Sequence, residues 1–286
     1  MSPRHLRETF ALVRFAHTLF ALPFACIGML LAADGLPPAR VVGWILAAMV
    51  GARTTAMAFN RIVDRHFDAA NPRTSGRSLP AGRLTVTWAW GVCAAGTVLL
   101  LVAAWRLQPL ALALAPLALL ILCGYSLTKR FTDWTHLVLG LALAGAPLGA
   151  WIAVRGGVAT EPLLLAAAVL LWTAGFDIPY ACQDTEADRA AGLHSLPARW
   201  GPERALRAAR LFHLGSVALF AAAGLAGGRG WPWFAGVAGA AMLLALEHRL
   251  VSARDLSRLD LAFFRLNVAV GLLLLIATAI ETTGRG

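Results

Sequence analysis

Nine apolar runs, each near the length needed to cross a bilayer, constrain this chain more than any other feature. A transmembrane helix needs about 20 predominantly apolar residues, and a spanning segment must satisfy its own backbone hydrogen bonds. The runs therefore predict an all-α, polytopic membrane protein with nine transmembrane helices, in a single domain over residues 1–286. The nine predicted spans are 14–33, 40–60, 86–106, 108–124, 134–154, 162–180, 205–227, 231–250 and 261–281.

The overall composition excludes two other classes of protein. The chain is 59% hydrophobic and 14% charged, whereas soluble domains have about 45–50% apolar and about 25% charged residues. Intrinsic disorder is excluded because it requires low hydrophobicity and high charge. The four cysteines have no CxxC spacing, so the sequence indicates neither a zinc site nor a disulfide framework.

The excess of basic residues is explained by membrane topology. The formal net charge is +10, which on a soluble domain would suggest a nucleic-acid partner. The nine spans instead place 19 of the 25 Lys and Arg residues on one side of the membrane and 5 on the other. By the positive-inside rule the richer side faces the cytoplasm, and it includes the N-terminus. We therefore expect no nucleic-acid partner.

The first polar cluster follows the second predicted span. Asn60, Asp64 and Asp68 are spaced i, i+4 and i+8. If the second helix continues beyond the bilayer core, all three side chains project from one face. A solvated helix face with local ion pairs is the alternative interpretation of such a motif taken alone.

The second polar cluster lies at the end of the sixth predicted span. Asp177, Tyr180, Asp184 and Asp188 are spaced i, i+3, i+7 and i+11, which again places them on one helical face. Pro179 is expected to kink this helix near its cytoplasmic end. Both clusters are predicted on the same side of the membrane.

The two clusters together favour a cation site. Carboxylates packed together repel each other unless a cation neutralises them. Oxygen ligands without thiolates or imidazoles favour Mg²⁺ or Mn²⁺ over zinc. Acidic and basic side chains together at one membrane face suit a metal-bridged diphosphate. The basic residues near the clusters are Arg53, Arg61, Arg65, Arg73, Arg77, Lys129 and Arg130.

These motifs resemble those of the UbiA family of intramembrane aromatic prenyltransferases. The family's NxxxDxxxD motif is matched by Asn60, Asp64 and Asp68, and its extension DAxNPRTxxRPLPAG is matched over 68–82, with Ser78 in place of the usual proline. The family's DxxYAxQDxxxD motif is matched over 177–188. Residues 125–132 are similar to the family's YxxxKRxT segment, and the nine-span pattern extends the resemblance over essentially the whole chain.

The resemblance implies nine helices around a central lipid-accessible cavity and a Mg²⁺-dependent site at its cytoplasmic end. Metal binding is implied for Asp64, Asp68, Asp184 and Asp188. Diphosphate binding is implied for Asn60, Arg61, Arg73, Arg77, Lys129, Arg130 and Gln183. Asp177 and Tyr180 are expected to orient the aromatic acceptor or to stabilise cationic charge. Arg53, the base that lies deepest inside a predicted span, is expected to bind an acceptor carboxylate.

The implied activity is transfer of a polyprenyl group from a polyprenyl diphosphate to 4-hydroxybenzoate, in ubiquinone biosynthesis. The chain would then be an integral protein of a bacterial inner membrane, in contact with lipid. Prenylation of a dihydroxynaphthoate in menaquinone biosynthesis is the close alternative. A cation-coupled transporter is the alternative from another class, although transporter sites tend to lie at the bilayer midplane.

Overall fold

The computed structural model describes residues 3–13, 18–253, 255–259 and 261–284. The described residues form helices joined by short connections, and there is no β-strand among them. The all-α prediction is therefore confirmed.

Among the described residues, nine long helices correspond to the nine predicted spans, within six residues at each end. They are α2 (Thr18–Ala33), α3 (Ala39–Val63), α5 (Val86–Leu107), α6 (Pro109–Thr128), α7 (Thr135–Arg155), α8 (Thr160–Ala181), α11 (Pro202–Ala226), α12 (Trp231–Leu250) and α13 (Asn267–Thr283). The first four residues of the predicted span 14–33 lie outside the described residues.

Seven of these helices are long and apolar enough to cross a membrane by length and composition, among the residues that the structure describes. Helix α2 meets the same criteria only together with α1 (Pro3–Val13), as one bent pair. Helix α12 is not among the seven. It carries His248 and Arg249 in its last turn, and these residues lower its hydropathy. The structure is therefore that of a polytopic membrane protein.

Several short elements were not predicted, because short polar helices lack a long apolar run. Besides α1, they are α4 (Arg65–Ala70), α9 (Thr185–Ala190) and α10 (Leu196–Trp200), whereas the last predicted span begins with a π-helical turn (Leu261–Leu266). Helix α1 precedes the first predicted span, in a segment to which no structure was assigned from the sequence. Its Glu8 carboxylate accepts hydrogen bonds from Ser78 at 2.7 Å and from Arg83 at 2.9 Å, so α1 is attached to the loop after α4.

The long helices pack in two groups. Neighbouring contacts run from α2 to α7, α8, α11, α12, α13 and back to α2, and a second group contains α3, α5 and α6. Small residues allow the closest approaches, as is typical of membrane helices. A Cβ atom added to Gly28 of α2 would lie 2.2 Å from the Pro147 carbonyl oxygen of α7. Gly51 of α3 and Gly96 of α5 meet in the same way.

An aromatic core joins α2 and α8 below the polar clusters. Phe20 stacks on Phe176 with ring centroids 5.2 Å apart, and Phe24 lies 4.8 Å from the Trp172 ring. Offset and edge-to-face aromatic contacts of this kind stabilise a core beyond the apolar area that they bury. The core fixes the end of α8, which carries the second acidic motif. The lipid-accessible central cavity stays a prediction.

Candidate active site

The first acidic motif lies where α3 gives way to α4. The Asn60 side-chain amide donates to Asp64 Oδ2 at 2.7 Å, as the i, i+4 spacing predicted. The expected continuous helix is instead divided at Asp64, which separates α3 from α4. The helical spacing is nevertheless kept, because the Asp68 N–H donates to the Asp64 carbonyl at 2.8 Å.

The Asp68 carboxylate is buried between two arginines. Arg77 donates to its Oδ1 at 2.5 Å, and Arg61 Nη1 lies 3.8 Å from its Oδ2. Asp68 Oδ2 is fully buried and has no hydrogen-bond partner. A buried anionic oxygen without a hydrogen bond is costly and suits a cation ligand.

Asp64 has an unusual proton affinity. Burial and, to a lesser extent, the neighbouring Asp68 carboxylate raise its pKa to about 6, although Lys129, Arg130 and Arg61 act in the opposite direction. Arg130 Nη2 lies 3.7 Å from Asp64 Oδ1. The nearby bases therefore do not fully neutralise the Asp64 and Asp68 carboxylates, and a bound cation would supply the missing positive charge.

The second acidic motif begins at the end of α8. Pro179 lies in the last turn of that helix, and the chain then tightens into a 3₁₀ turn over Cys182–Asp184 before α9 begins. This succession keeps Tyr180, Asp184 and Asp188 close to the first motif, as their contacts show.

Arg73 connects the two motifs. It lies in the loop after α4, and its Nε donates to Asp184 Oδ1 at 2.8 Å, while its Nη2 donates to Asp184 Oδ2. The pairing is bidentate, the geometry that gives arginine–carboxylate pairs their strength. Asn71 donates to the same Oδ1 at 3.1 Å, and Arg73 Nη1 donates to the Tyr180 hydroxyl at 2.9 Å.

Lys129, the single lysine of the chain, lies between the acidic motifs. Its Nζ is 3.4 Å from Asp188 Oδ2, and the same oxygen accepts a hydrogen bond from Ser195 at 3.2 Å. Lys129 also interacts electrostatically with Asp64 and with Asp184. The structure thus brings both predicted motifs together with five of the predicted bases, which are Arg61, Arg73, Arg77, Lys129 and Arg130.

Asp177 has a partner that the sequence did not indicate. His136, which is 0% exposed at the start of α7, places its Nδ1 2.7 Å from Asp177 Oδ2. Its Nε2 accepts the Leu196 backbone N–H at 3.4 Å. Because Nε2 is an acceptor, Nδ1 carries the proton and donates to Asp177. The only available signal was a histidine at the start of a predicted span, which is too general to identify a partner 41 residues away.

Tyr180 packs against an aromatic ring as well as against Arg73. Its ring stacks on Phe263 with centroids 4.3 Å apart, and the Arg73 guanidinium lies 5.3 Å from the Tyr180 ring centroid. Tyr180 is therefore held from both sides, with its hydroxyl directed at the basic end of the site. A cation near these rings would be stabilised by their π faces.

Two predicted residues lie apart from the carboxylates. Gln183 is exposed, and its side-chain amide donates back to the Tyr180 carbonyl at 3.3 Å. Arg53 is half-buried in α3, seven residues before Asn60, and interacts electrostatically with Tyr125. Seven residues correspond to about 10 Å along a helix and to the same helical face, so Arg53 lies deeper in the bundle than Asn60.

The carboxylate oxygens at the site suit Mg²⁺, which can take further ligands from water and substrate, better than a metal that needs all its ligands from the protein. Within the described residues, no three or more His, Cys, Asp or Glu side chains come together as a metal site. Mg²⁺ commonly takes one or two carboxylates and completes its shell with water and substrate phosphate. The Asp64–Asp68 pair, with the buried Asp68 Oδ2, meets that requirement.

Fold and site together define an integral membrane protein with two acidic motifs, joined by arginine and lysine side chains, at one end of a helical bundle. A model of the UbiA prenyltransferase family matches residues 21–269. The chain belongs to this family and is a prenyltransferase, which excludes the transporter alternative.

Individual relatives agree with this assignment. The chain is 34% identical over 253 residues to a 4-hydroxybenzoate octaprenyltransferase of Aromatoleum aromaticum, covering 88% of this chain and 85% of the relative. The apo structure of a UbiA homolog from Aeropyrum pernix is 36% identical, with a TM-score of 0.84, over 93% of this chain and 98% of that one. A UbiA homolog from Archaeoglobus fulgidus, solved with GPP and Mg²⁺, shares the fold at 21% identity, with a TM-score of 0.72 over 95% and 99% of the two chains.

Proposed function

We propose that this prenyltransferase moves a polyprenyl group from a polyprenyl diphosphate to 4-hydroxybenzoate, with Mg²⁺, in ubiquinone biosynthesis. The observation that carries the proposal is the joining of both acidic motifs by Arg73 and Lys129. The 4-hydroxybenzoate octaprenyltransferases among the relatives support the choice of acceptor. The A. fulgidus homolog bound to GPP and Mg²⁺ supports the choice of donor and metal.

In this proposal the four motif aspartates, Asp64, Asp68, Asp184 and Asp188, hold the metal. Bound Mg²⁺ stabilises the negative charge that develops on the diphosphate leaving group. Two of these carboxylates are paired with Arg73 and Lys129 in the structure. These two bases are proposed to transfer their hydrogen bonds from carboxylate to diphosphate oxygens when the substrate enters.

The remaining bases complete the proposed diphosphate site. Arg61 and Arg77 flank Asp68, and Arg130 flanks Asp64, so three guanidinium groups lie beside the first motif. Guanidinium groups match phosphate oxygens in bidentate geometry and remain charged at all physiological pH values. Asn60 is proposed to bind the metal or a phosphate oxygen of the diphosphate. Gln183 is proposed to contribute once its exposed side chain turns toward the diphosphate.

The chemistry then follows from charge separation. The allylic carbon–oxygen bond breaks, and its electron pair leaves with the diphosphate. Tyr180 and the aromatic core beneath it are proposed to stabilise the allylic cation through their π faces. The bundle excludes water, which would otherwise hydrolyse the cation. A ring carbon of the acceptor forms the new carbon–carbon bond, and the ring then loses a proton.

The acceptor is proposed to lie deeper in the bundle than the diphosphate. Arg53, about 10 Å along α3 from Asn60, is proposed to bind its carboxylate. Asp177, held by His136, and Tyr180 are proposed to orient the acceptor or to stabilise the positive charge of the ring before the proton leaves. The polyprenyl tail extends toward lipid. We further propose a bacterial inner membrane, with the N-terminus and the acidic motifs on the cytoplasmic side, because this side holds 19 of the 25 bases.

The test is a direct comparison of acceptors. Purified protein in lipid vesicles is given a radiolabelled polyprenyl diphosphate with Mg²⁺ and either 4-hydroxybenzoate or a dihydroxynaphthoate, and the products are identified by mass. We expect prenylated 4-hydroxybenzoate to be formed with the higher kcat/KM. Preferential prenylation of the naphthoate would overturn the acceptor and the ubiquinone role. Prenylation of neither ring would overturn both aromatic acceptors while leaving the family unchanged.

A further inference from the structure

A carboxyl and an amide side chain are buried together between α12 and α13, away from the acidic motifs. Glu247 is 1% exposed and Asn267 is 0% exposed. The Asn267 amide nitrogen donates to Glu247 Oε2 at 2.9 Å. An ionisable side chain buried in a membrane helix is costly, and such residues usually have a function and a definable partner.

Asn267 also caps an irregular piece of backbone. The π-helical turn Leu261–Leu266 directly precedes it, and the Asn267 amide nitrogen lies 3.1 Å from the Ala262 carbonyl oxygen and 3.2 Å from that of Phe263. A π-helical turn displaces carbonyl groups from the regular i→i+4 ladder, and such turns are often found at functional sites. Asn267 supplies the donor that these carbonyls need, and Glu247 fixes the orientation of its amide.

The π-helical turn determines where Phe263 lies. It contacts both α12 and the end of α8. From it, Phe263 stacks on Tyr180 at 4.3 Å and meets Phe176 edge-on at 5.5 Å. A contiguous set of contacts therefore leads from Glu247 through Asn267 and Phe263 to Tyr180, whose hydroxyl accepts a hydrogen bond from Arg73.

We propose that Glu247 and Asn267 are positioning residues that hold the π-helical turn and thereby place Phe263 against Tyr180. Apolar residues of similar volume in such a buried position are often neutral or stabilising, so a role in packing alone does not require this pair. The placement of Phe263 against Tyr180 does not depend on what the enzyme prenylates. The expected effect on kinetics rests on the proposed function, in which Tyr180 faces the acceptor and the allylic cation.

The geometric test uses the fact that the chain has two tyrosines, Tyr125 and Tyr180. Protein labelled with 3-fluorotyrosine should give two ¹⁹F resonances, and Tyr180→Phe identifies the one from Tyr180. Phe263→Leu removes the stacked ring and defines the chemical shift that Tyr180 has without it. We expect Asn267→Leu and Glu247→Met to move the Tyr180 resonance toward that position and to leave the Tyr125 resonance unchanged.

Two further variants separate hydrogen bonding from charge and from misfolding. Glu247→Gln keeps an acceptor oxygen without the charge, and we expect its Tyr180 resonance to stay at the wild-type position. Asn267→Ala removes the N–H donor without adding bulk, and we expect its resonance to move if the larger apolar variants do not fold. An unmoved Tyr180 resonance in the folded donor-lacking variants, with a clear shift in Phe263→Leu, would overturn the inference.

Kinetics supply a second readout. We expect Asn267→Leu and Phe263→Leu to raise the KM for the aromatic acceptor by about tenfold or more, because small misplacements of a substrate-facing group are costly. The KM for the polyprenyl diphosphate should be unchanged, and Glu247→Gln should behave like the wild type. An acceptor KM raised in Phe263→Leu and unchanged in Asn267→Leu would overturn the positioning role. If Phe263→Leu has no kinetic effect, the place of Tyr180 in the proposed function fails, whereas the ¹⁹F result is unaffected.

Discussion

Arg73 holds Asp184 through two hydrogen bonds across 111 residues of sequence, with its Nε 2.8 Å from Asp184 Oδ1. This contact joins the loop after the first acidic motif to the centre of the second. Because a planar guanidinium and a carboxylate match in both distance and direction, the pairing defines the relative placement of the two motifs.

Replacing Arg73 with lysine should impair prenyl transfer even though the charge is kept. Lysine cannot form the bidentate pair with Asp184 or reach the Tyr180 hydroxyl at the same time. We expect kcat/KM for the polyprenyl diphosphate to fall on the order of 100-fold, measured by steady-state transfer in lipid vesicles. Arg65→Lys is the matched control, because Arg65 donates to the Ile62 carbonyl and forms no ion pair with a carboxylate among the described residues. Wild-type kinetics in Arg73→Lys would contradict the bridging role.

Removal of divalent metal should abolish transfer, and the motif aspartates should be needed for its recovery. EDTA followed by excess Mg²⁺ should restore the wild-type protein. Asp64→Ala and Asp184→Ala should stay at least about 1,000-fold below it, while still inserting into the membrane. Glu186→Ala serves as control, because Glu186 is an exposed acid of the same segment. Full activity of both aspartate variants at saturating Mg²⁺ would show that the metal-site assignment is wrong.

His136→Ala should weaken use of the aromatic acceptor more than binding of the diphosphate. The substitution removes the donor to Asp177 and leaves the Leu196 N–H without its acceptor. We expect kcat/KM for the acceptor to fall on the order of 10-fold to 100-fold. His136→Asn should recover part of the loss, since an amide nitrogen can replace Nδ1 as donor. His194→Ala disrupts a more exposed His–Asp pair and should have little effect on kinetics. Equal losses in both alanine variants would count against a specific role for His136.

Gly28→Ala should destabilise the bundle. A Cβ atom there would lie 2.2 Å from the Pro147 carbonyl, so α2 and α7 would have to separate. Overpacking of this kind costs about 1–3 kcal/mol. The four free cysteines allow unfolding to be followed with a thiol-reactive dye in detergent. Gly149→Ala is the matched control, because nothing lies within 4 Å of its added Cβ. A Gly28→Ala midpoint equal to that of Gly149→Ala would contradict the close approach of these helices.

Local patterns account for the features that were predicted correctly. The apolar runs identified nine helices because bilayer thickness and backbone hydrogen bonding leave few other solutions. The hydrogen bond from Asn60 to Asp64 follows from the i, i+4 geometry of one helix. The break at Asp64 was missed, since the spacing of the motif is the same with or without it. Helix α1 was missed because it has no long apolar run.

Contacts between side chains that lie far apart in the sequence could not be predicted from these local patterns. The predicted spans placed Asp177 and Glu247 in helices, but they could not show that His136 faces the first or Asn267 the second. Nor could the presence of basic residues near two acidic motifs show that Arg73 selects Asp184 while Arg77 selects Asp68. A local period of 3.6 residues orients a side chain around its own helix axis. The side chain that it meets depends on which helices pack together and at what depth, and only the folded bundle defines both.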